Sequence, residues 1–192
     1  NDPAASVREQ AVFWLGQVRT DRAASALEDI VTSSRDVDLR TKAVHALHET
    51  NSPRAAAVLR RLAESEQTPE RVREQAIFWL GQRRSQENAD FLRGLYAKLP
   101  RGSDGDDWRK KVMFSLSQMR CCNNAAWLLG LGLDNANSAE VRGHALWTAG
   151  QAGIAGSEVA GVYDRLTDAE VKEKLIWVMS ESRDRVATDK LI

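Results

Sequence analysis

The sequence predicts an all-α protein: a right-handed α-solenoid of about six helix-pair repeats in one domain, residues 1–192. Three observations carry that expectation. An eleven-residue stretch occurs twice, from Val7 to Gln17 and from Val72 to Gln82, with only Val12 and Ile77 differing. Degraded copies of it continue along the chain from Leu39, Trp108, Val141 and Val171, so the steps are 32, 33, 36, 33 and 30 residues. No stretch shows the period-two alternation of a half-buried strand. A unit this short cannot bury its apolar face alone, so its neighbours must cover it.

The repeats are expected at about 3–34, 35–67, 68–105, 106–137, 138–166 and 167–192, the last one incomplete. Counting from the first position of each copy, apolar residues at 0, 4, 5 and 8 form one stripe of an amphipathic helix. Position 4 holds Ala11, Ala43, Ala76, Val112, Ala145 and Leu175, and position 8 holds Leu15, Leu47, Leu80, Leu116, Ala149 and Met179. Trp14 and Trp79 fall on the same side and are assigned to the core, as is Trp108 in place of the motif's Val. A second helix follows each break, with Ala23, Leu27 and Ile30, then Ala55, Leu59 and Leu62, then Leu92 and Leu95, then Leu128 and Leu131.

Start signals accompany these helices. Asp2-Pro3, Ser52-Pro53 and Thr68-Pro69 each place an N-cap residue before Pro at the first helical position. Thr167 to Glu170 has capping-box spacing. The segment Pro100–Asp106 reads as a lengthened, mobile turn. Its aspartates do not make a calcium loop, because the twelfth position from Asp104 is Ser115 and not a bidentate Glu.

Composition narrows the function classes. Lys plus Arg (27) balances Asp plus Glu (27), so no net field attracts nucleic acid or an anionic membrane. No long uncharged apolar run exists to insert in a membrane. The start, Asn1-Asp2-Pro3, lacks the pattern of a signal peptide but fits a trimmed terminus equally well, which leaves the compartment open. Cys121 and Cys122 are adjacent, which rules out an ordinary disulfide between them, and they read as two small residues opening a helix.

The helix reading Val-Arg-x-x-Ala-x-x-x-Leu-Gly, present at Val7–Gly16, at Val72–Gly81 and loosely at Val141–Gly150, resembles the short bacterial HEAT-like repeat. The resemblance covers essentially the whole chain. It implies the α-solenoid fold, with the Val-Arg helices lining the concave side, but spans scaffolds, bilin lyases and hydroxylases alike. The related deoxyhypusine hydroxylases carry His-Glu pairs directly after the Val-Arg, where this chain has Glu-Gln, Thr-Lys, Glu-Gln, Lys-Lys, Gly-His and Glu-Lys. No metal site or cofactor is therefore expected. HEAT-like alkylpurine glycosylases grip DNA with concave aromatics. Here the corresponding rows hold Lys42, Lys110, Lys111 and Lys174 against Glu9, Glu49, Glu74, Glu173 and Glu181, four positive to five negative.

Helical geometry selects the opposite face, at positions 2, 3, 6 and 10. Position 6 reads Phe13, His45, Phe78, Phe114, Trp147 and Trp177; position 10 reads Gln17, Glu49, Gln82, Gln118, Gln151 and Glu181. A row of rings on a solvated face is an interaction signal, here flanked by hydrogen-bonding amides. The expected groove comprises Phe13, Gln17, His45, Phe78, Gln82, Phe114, Gln118, Trp147, Gln151 and Trp177, with Phe78, Phe114 and Trp147 more than about a third exposed. The basic row Arg8, Arg40, Arg73, Arg109, Arg142 and Lys172 reads as a structural ladder to neighbouring repeats, not a phosphate track. The sequence thus points to a non-enzymatic scaffold for a protein or peptide, without nucleic acid. The alternatives are a bilin-lyase-like enzyme or enzyme subunit and a self-associating module.

Overall fold

The computed structural model describes residues 3–182 and 184–192, the side chain of Pro3 excepted. The proposed N-cap Asp2 lies outside the described residues. Among them the chain is all-helical and carries no strand. The helices are α1 (Pro3–Gln17), α2 (Asp21–Ser33), α3 (Val37–Thr50), α4 (Pro53–Glu64), α5 (Glu70–Gly81) and α6 (Gln86–Lys98). They continue as α7 (Ser103–Gln118), α8 (Asn124–Leu133), α9 (Ala139–Gln151), α10 (Gly156–Val162), α11 (Ala169–Glu181) and α12 (Arg185–Leu191). A 3-10 turn, Tyr163–Arg165, follows α10. Odd and even helices alternate as the first and second members of helix-pair repeats, the order of an α-solenoid. Two compact units are present, residues 1–82 and 83–192, so the third pair has α5 in one unit and α6 in the other.

Within each unit, first helices pack on first helices, α1 on α3 on α5 and α7 on α9 on α11. Each second helix also touches the first helix of the following repeat, as α2 does α3, α4 does α5 and α8 does α9. The repeat positions divide this work. The stripe at 0, 4 and 8 is closed in the interior copies: Val72 and Ala76 are fully buried and Leu80 is 1% exposed. Position 5 faces forward along the first-helix layer and is buried at Val12, Val44, Ile77, Met113 and Leu146. Position 9 also faces forward: a Cβ on Gly16 would stand 3.0 Å from Ala46, and one on Gly150 would stand 3.1 Å from Val178. Position 7 looks back, which puts the Trp79 ring on His45 and His48 of α3, with centroids 4.6 and 4.7 Å apart.

The basic row is a ladder. Arg73 Nε donates to Ala63 O at 2.9 Å, Arg109 Nη2 to Leu99 O at 2.9 Å and Arg142 Nε to Gly132 O at 3.1 Å. Each reaches ten residues back, to the end of the preceding second helix, where carbonyls lack intrahelical partners. Arg40 does the same at Ser34 and Thr32. Lys172 instead lies over the Tyr163 ring, 4.3 Å from its centroid. The interior guanidiniums are buried, so no phosphate track exists there.

Several expectations are corrected. In the first copy the stripe is open: Val7 is 64% and Trp14 65% exposed, Ala11 is exposed and Leu15 half-buried. Trp14 is therefore not core. No helix precedes α1 among the described residues, so nothing there plays the part that α3 and α4 play for α5. Trp79 and Trp108 are half-buried rather than core, the latter under the Lys111 ammonium. The segment at 100–106 is not a long turn: α7 begins at Ser103, so Asp104 and Asp106 occupy its first turn. Their carboxylates favour the positive end of the helix dipole. Gly102, at φ 110°, admits the chain to the helix, and a Cβ on Gly105 would collide with the Pro100 carbonyl. The boundary between the third and fourth pairs accordingly lies at 99–102.

Caps differ in detail. Ser52 accepts from Ala55 N at 3.0 Å ahead of Pro53, as its sequence implies. At α5 the N-cap is Pro69 itself, with no side-chain cap, and not Thr68. At α11 it is Asp168, accepting from Glu170 N and Val171 N, in place of Thr167. The carboxylate one residue later reaches two backbone N–H groups, which the Thr hydroxyl does not. Cys121 and Cys122 do not open a helix. They sit in the turn before α8, joined as a vicinal disulfide, in a segment where Arg120, Cys122 and Asn123 have positive φ.

Candidate functional site

The first-helix layer determines where the ring row and the amide row lie. Position 10 falls at or just after the end of each first helix, and all six of its residues, Gln17, Glu49, Gln82, Gln118, Gln151 and Glu181, are exposed. Position 6, one turn earlier, is more varied. Phe13 is 56% exposed, Trp177 43% and Phe114 36%, and His45 is also exposed. Phe78 and Trp147 are half-buried, so of the three central rings expected to be more than about a third exposed only Phe114 is exposed. Both rings touch neighbouring rings. Phe78 meets the edge of Trp79 at 5.0 Å, while Trp147 lies parallel to Phe114 at 6.5 Å and tilts against His144 at 5.4 Å.

In the first unit α1 and α3 enclose a groove of about 690 Å³. Phe13, Gln17 and His45 line it, with Val12 and Gly16 as floor and Glu9, Lys42 and Glu49 as charged rim. Gly16 lets α1 approach α3, because a side chain there would strike Ala46. Lys42 pairs with Glu9 at 2.5 Å, and His45 Nε2 stands 3.5 Å from Glu49 Oε1. Phe78 and Gln82 belong to the neighbouring α5 and do not line this groove.

The second unit carries its own stretch of both rows. Phe114 and Trp147 stack on adjacent first helices. A smaller depression of about 220 Å³ brings Gln151, Trp177 and Glu181 together beside Arg120, Ile154 and Ser182. The last three follow helix ends and share no repeat position, so periodicity gave no signal for them. Lys110 bridges Asp107 and Glu140 at 2.7 Å each, and these bonds, Asp107 foremost, raise its pKa. His144 is neutralised in the other direction: burial lowers its pKa, against the hydrogen bond from its Nε2 to Lys110 O at 3.2 Å.

Lys42 is engaged by Glu9 and Lys110 by Asp107 and Glu140, and the amides of Gln17 and Gln151 can both donate and accept. Among the described residues no group of three His, Cys, Asp or Glu side chains is placed to hold a metal ion. No helix there is long and apolar enough to cross a membrane.

No curated protein matches the chain. The family of HEAT repeats matches residues 1–72, which span α1 to the first turn of α5. Helix pairs of the same order continue beyond the matched residues to α12.

Proposed function

We propose that the protein is a non-enzymatic scaffold that binds a protein or peptide segment along the ring and amide rows of its first helices. HEAT repeats generally serve as protein-interaction scaffolds, and the exposed rings and amides of the first helices support this face for that role here. The observation that carries this reading is the groove between α1 and α3, where an exposed Phe13 and the Gln17 amide stand over an apolar floor. An extended segment would place a side chain against Phe13 and His45 and exchange backbone hydrogen bonds with Gln17. Phe114 with Gln118, and Trp177 with Gln151, would repeat those contacts in the second unit.

The test is selection of binders from a displayed random-peptide library, followed by affinity and melting measurements. Phe13→Ala should weaken selected peptides about thirtyfold, since aromatic anchors at interface centres carry roughly 2 kcal/mol. Its melting temperature should hardly move, because more than half of the ring is exposed. Selected peptides that bind the variant equally well would remove the groove from the account.

A further inference from the structure

Among the described residues, three of the four non-glycine residues at positive φ lie in one short turn: Arg120 at 44°, Cys122 at 63° and Asn123 at 56°. The turn joins α7 to α8, and the Asn124 N–H donates to Cys121 O at 3.1 Å across it. Two central residues at positive φ make a mirror-image turn, a class that Gly, Asn and Asp adopt and other residues resist. Asn123 suits it and Cys122 does not.

The two ends of the turn are fixed. Met119 and Asn124 are each 1% exposed, and Asn124 Nδ2 donates to Leu116 O at 3.0 Å. Arg93 of α6 lies over the Trp127 ring and donates to Cys122 O and, at 2.7 Å, to Asn124 Oδ1. A covalent tie acts between those ends: Cys121 and Cys122, the only cysteines of the sequence, are joined to each other. Both are half-buried and not closed in the core, within reach of a small reductant. Arg120, the residue before them, is exposed and lines the depression of α9 and α11 with Gln151, Trp177 and Glu181.

We propose that Cys121 and Cys122 are a reversible dithiol–disulfide site, reduced by a dithiol, that sets this turn and with it the place of Arg120 in the depression. A thiolate of the reductant attacks one of the two sulfurs, their S–S bond breaks, and the other cysteine leaves as a thiolate. The reductant's second sulfur then displaces the first cysteine and closes the reductant's own disulfide. Two electrons pass to the protein, and the two protons of the dithiol end, through solvent, on Cys121 and Cys122. Oxidation by a small disulfide runs the same steps backwards. Without the S–S bond Cys122 loses its tie to Cys121, and residues 120–123 relax between their fixed ends. What the site would regulate rests on the proposed binding face; the redox change in the turn does not.

The experiment is NMR on the full chain after reduction with dithiothreitol and after reoxidation with glutathione disulfide, with thiols counted by alkylation and mass spectrometry. Wild type should take up two alkyl groups when reduced and none when reoxidised. In the reduced form the Asn124 amide should exchange about tenfold faster, because it depends on local opening of the turn. The Trp177 indole N–H resonance should shift between the two forms, and Arg120→Ala should lose that shift while keeping the amide response. Cys122→Gly accepts positive φ without a sulfur, so its Asn124 amide should exchange slowly in either condition. The doubly substituted Cys121→Ser, Cys122→Ser protein should exchange quickly in both. Cysteines that stay free or retain glutathione after reoxidation overturn the proposal. So do an Asn124 amide that exchanges alike in both forms and a Trp177 resonance that ignores the redox state. None of these readouts uses a peptide, so this proposal and the binding face fail separately.

Discussion

Arg109 shows how a repeat position becomes an interaction. Its guanidinium is buried between Leu99 O, to which it donates at 2.9 Å, and the Tyr96 ring, 5.1 Å from the centroid. Arg109→Ala would strand a helix-end carbonyl and is expected to cost about 1–3 kcal/mol by chemical denaturation. Arg109→Lys should recover only part of that, since an ammonium lacks the planar fork that serves carbonyl and ring together. His144 gives the pH counterpart. Burial depresses its folded pKa below the usual 6.5, so below that pH the unfolded chain takes up a proton more readily than the folded one. Stability should therefore fall as pH drops from about 6.5 towards the depressed value, and be indifferent to this residue above it. His144→Gln should lack that loss when melting curves of the two proteins are compared between neutral and mildly acidic pH.

At the scale of the element, the helices themselves were legible, because periods of three and four recur and no alternation competes. What the sequence left undetermined was the surroundings of each helix. Val7 and Val72 carry the same motif, yet one is 64% exposed and the other fully buried, since burial depends on a neighbour that the motif does not encode. The segment at 100–106 was misread because Gly and Asp signal turns locally, whereas here the aspartates serve the start of α7. The ring row was located by position, but Phe78 and Trp147 are half-buried where Phe13 and Phe114 are exposed, a difference in surroundings that no spacing rule predicts. The same dependence on neighbours sets stability. Leu80→Ala in α5, at a site 1% exposed, should cost roughly 2–5 kcal/mol. Leu191→Ala in α12, 38% exposed, should cost far less. Equal losses in denaturant titrations would mean that the repeats do not stack as nearest neighbours.

For the molecule as a whole, stacking directs each residue type to one task. Positions 0, 4, 5 and 8 close the interior layers, position 1 of the interior copies ties a repeat to the one before, and position 10, with position 6 in part, stays exposed. The balance of 27 basic and 27 acidic residues removes long-range steering, so binding along the proposed face would rest on rings and amides at short range. Site-specific photo-crosslinking measures this most directly. A photoreactive side chain at Gln17 or Gln151, on the first-helix face, should capture a selected peptide, whereas the same group at Asp29 or Asp90, exposed on second helices, should not. Capture from Asp29 or Asp90 with none from Gln17 or Gln151 would place binding on the opposite face and contradict the account.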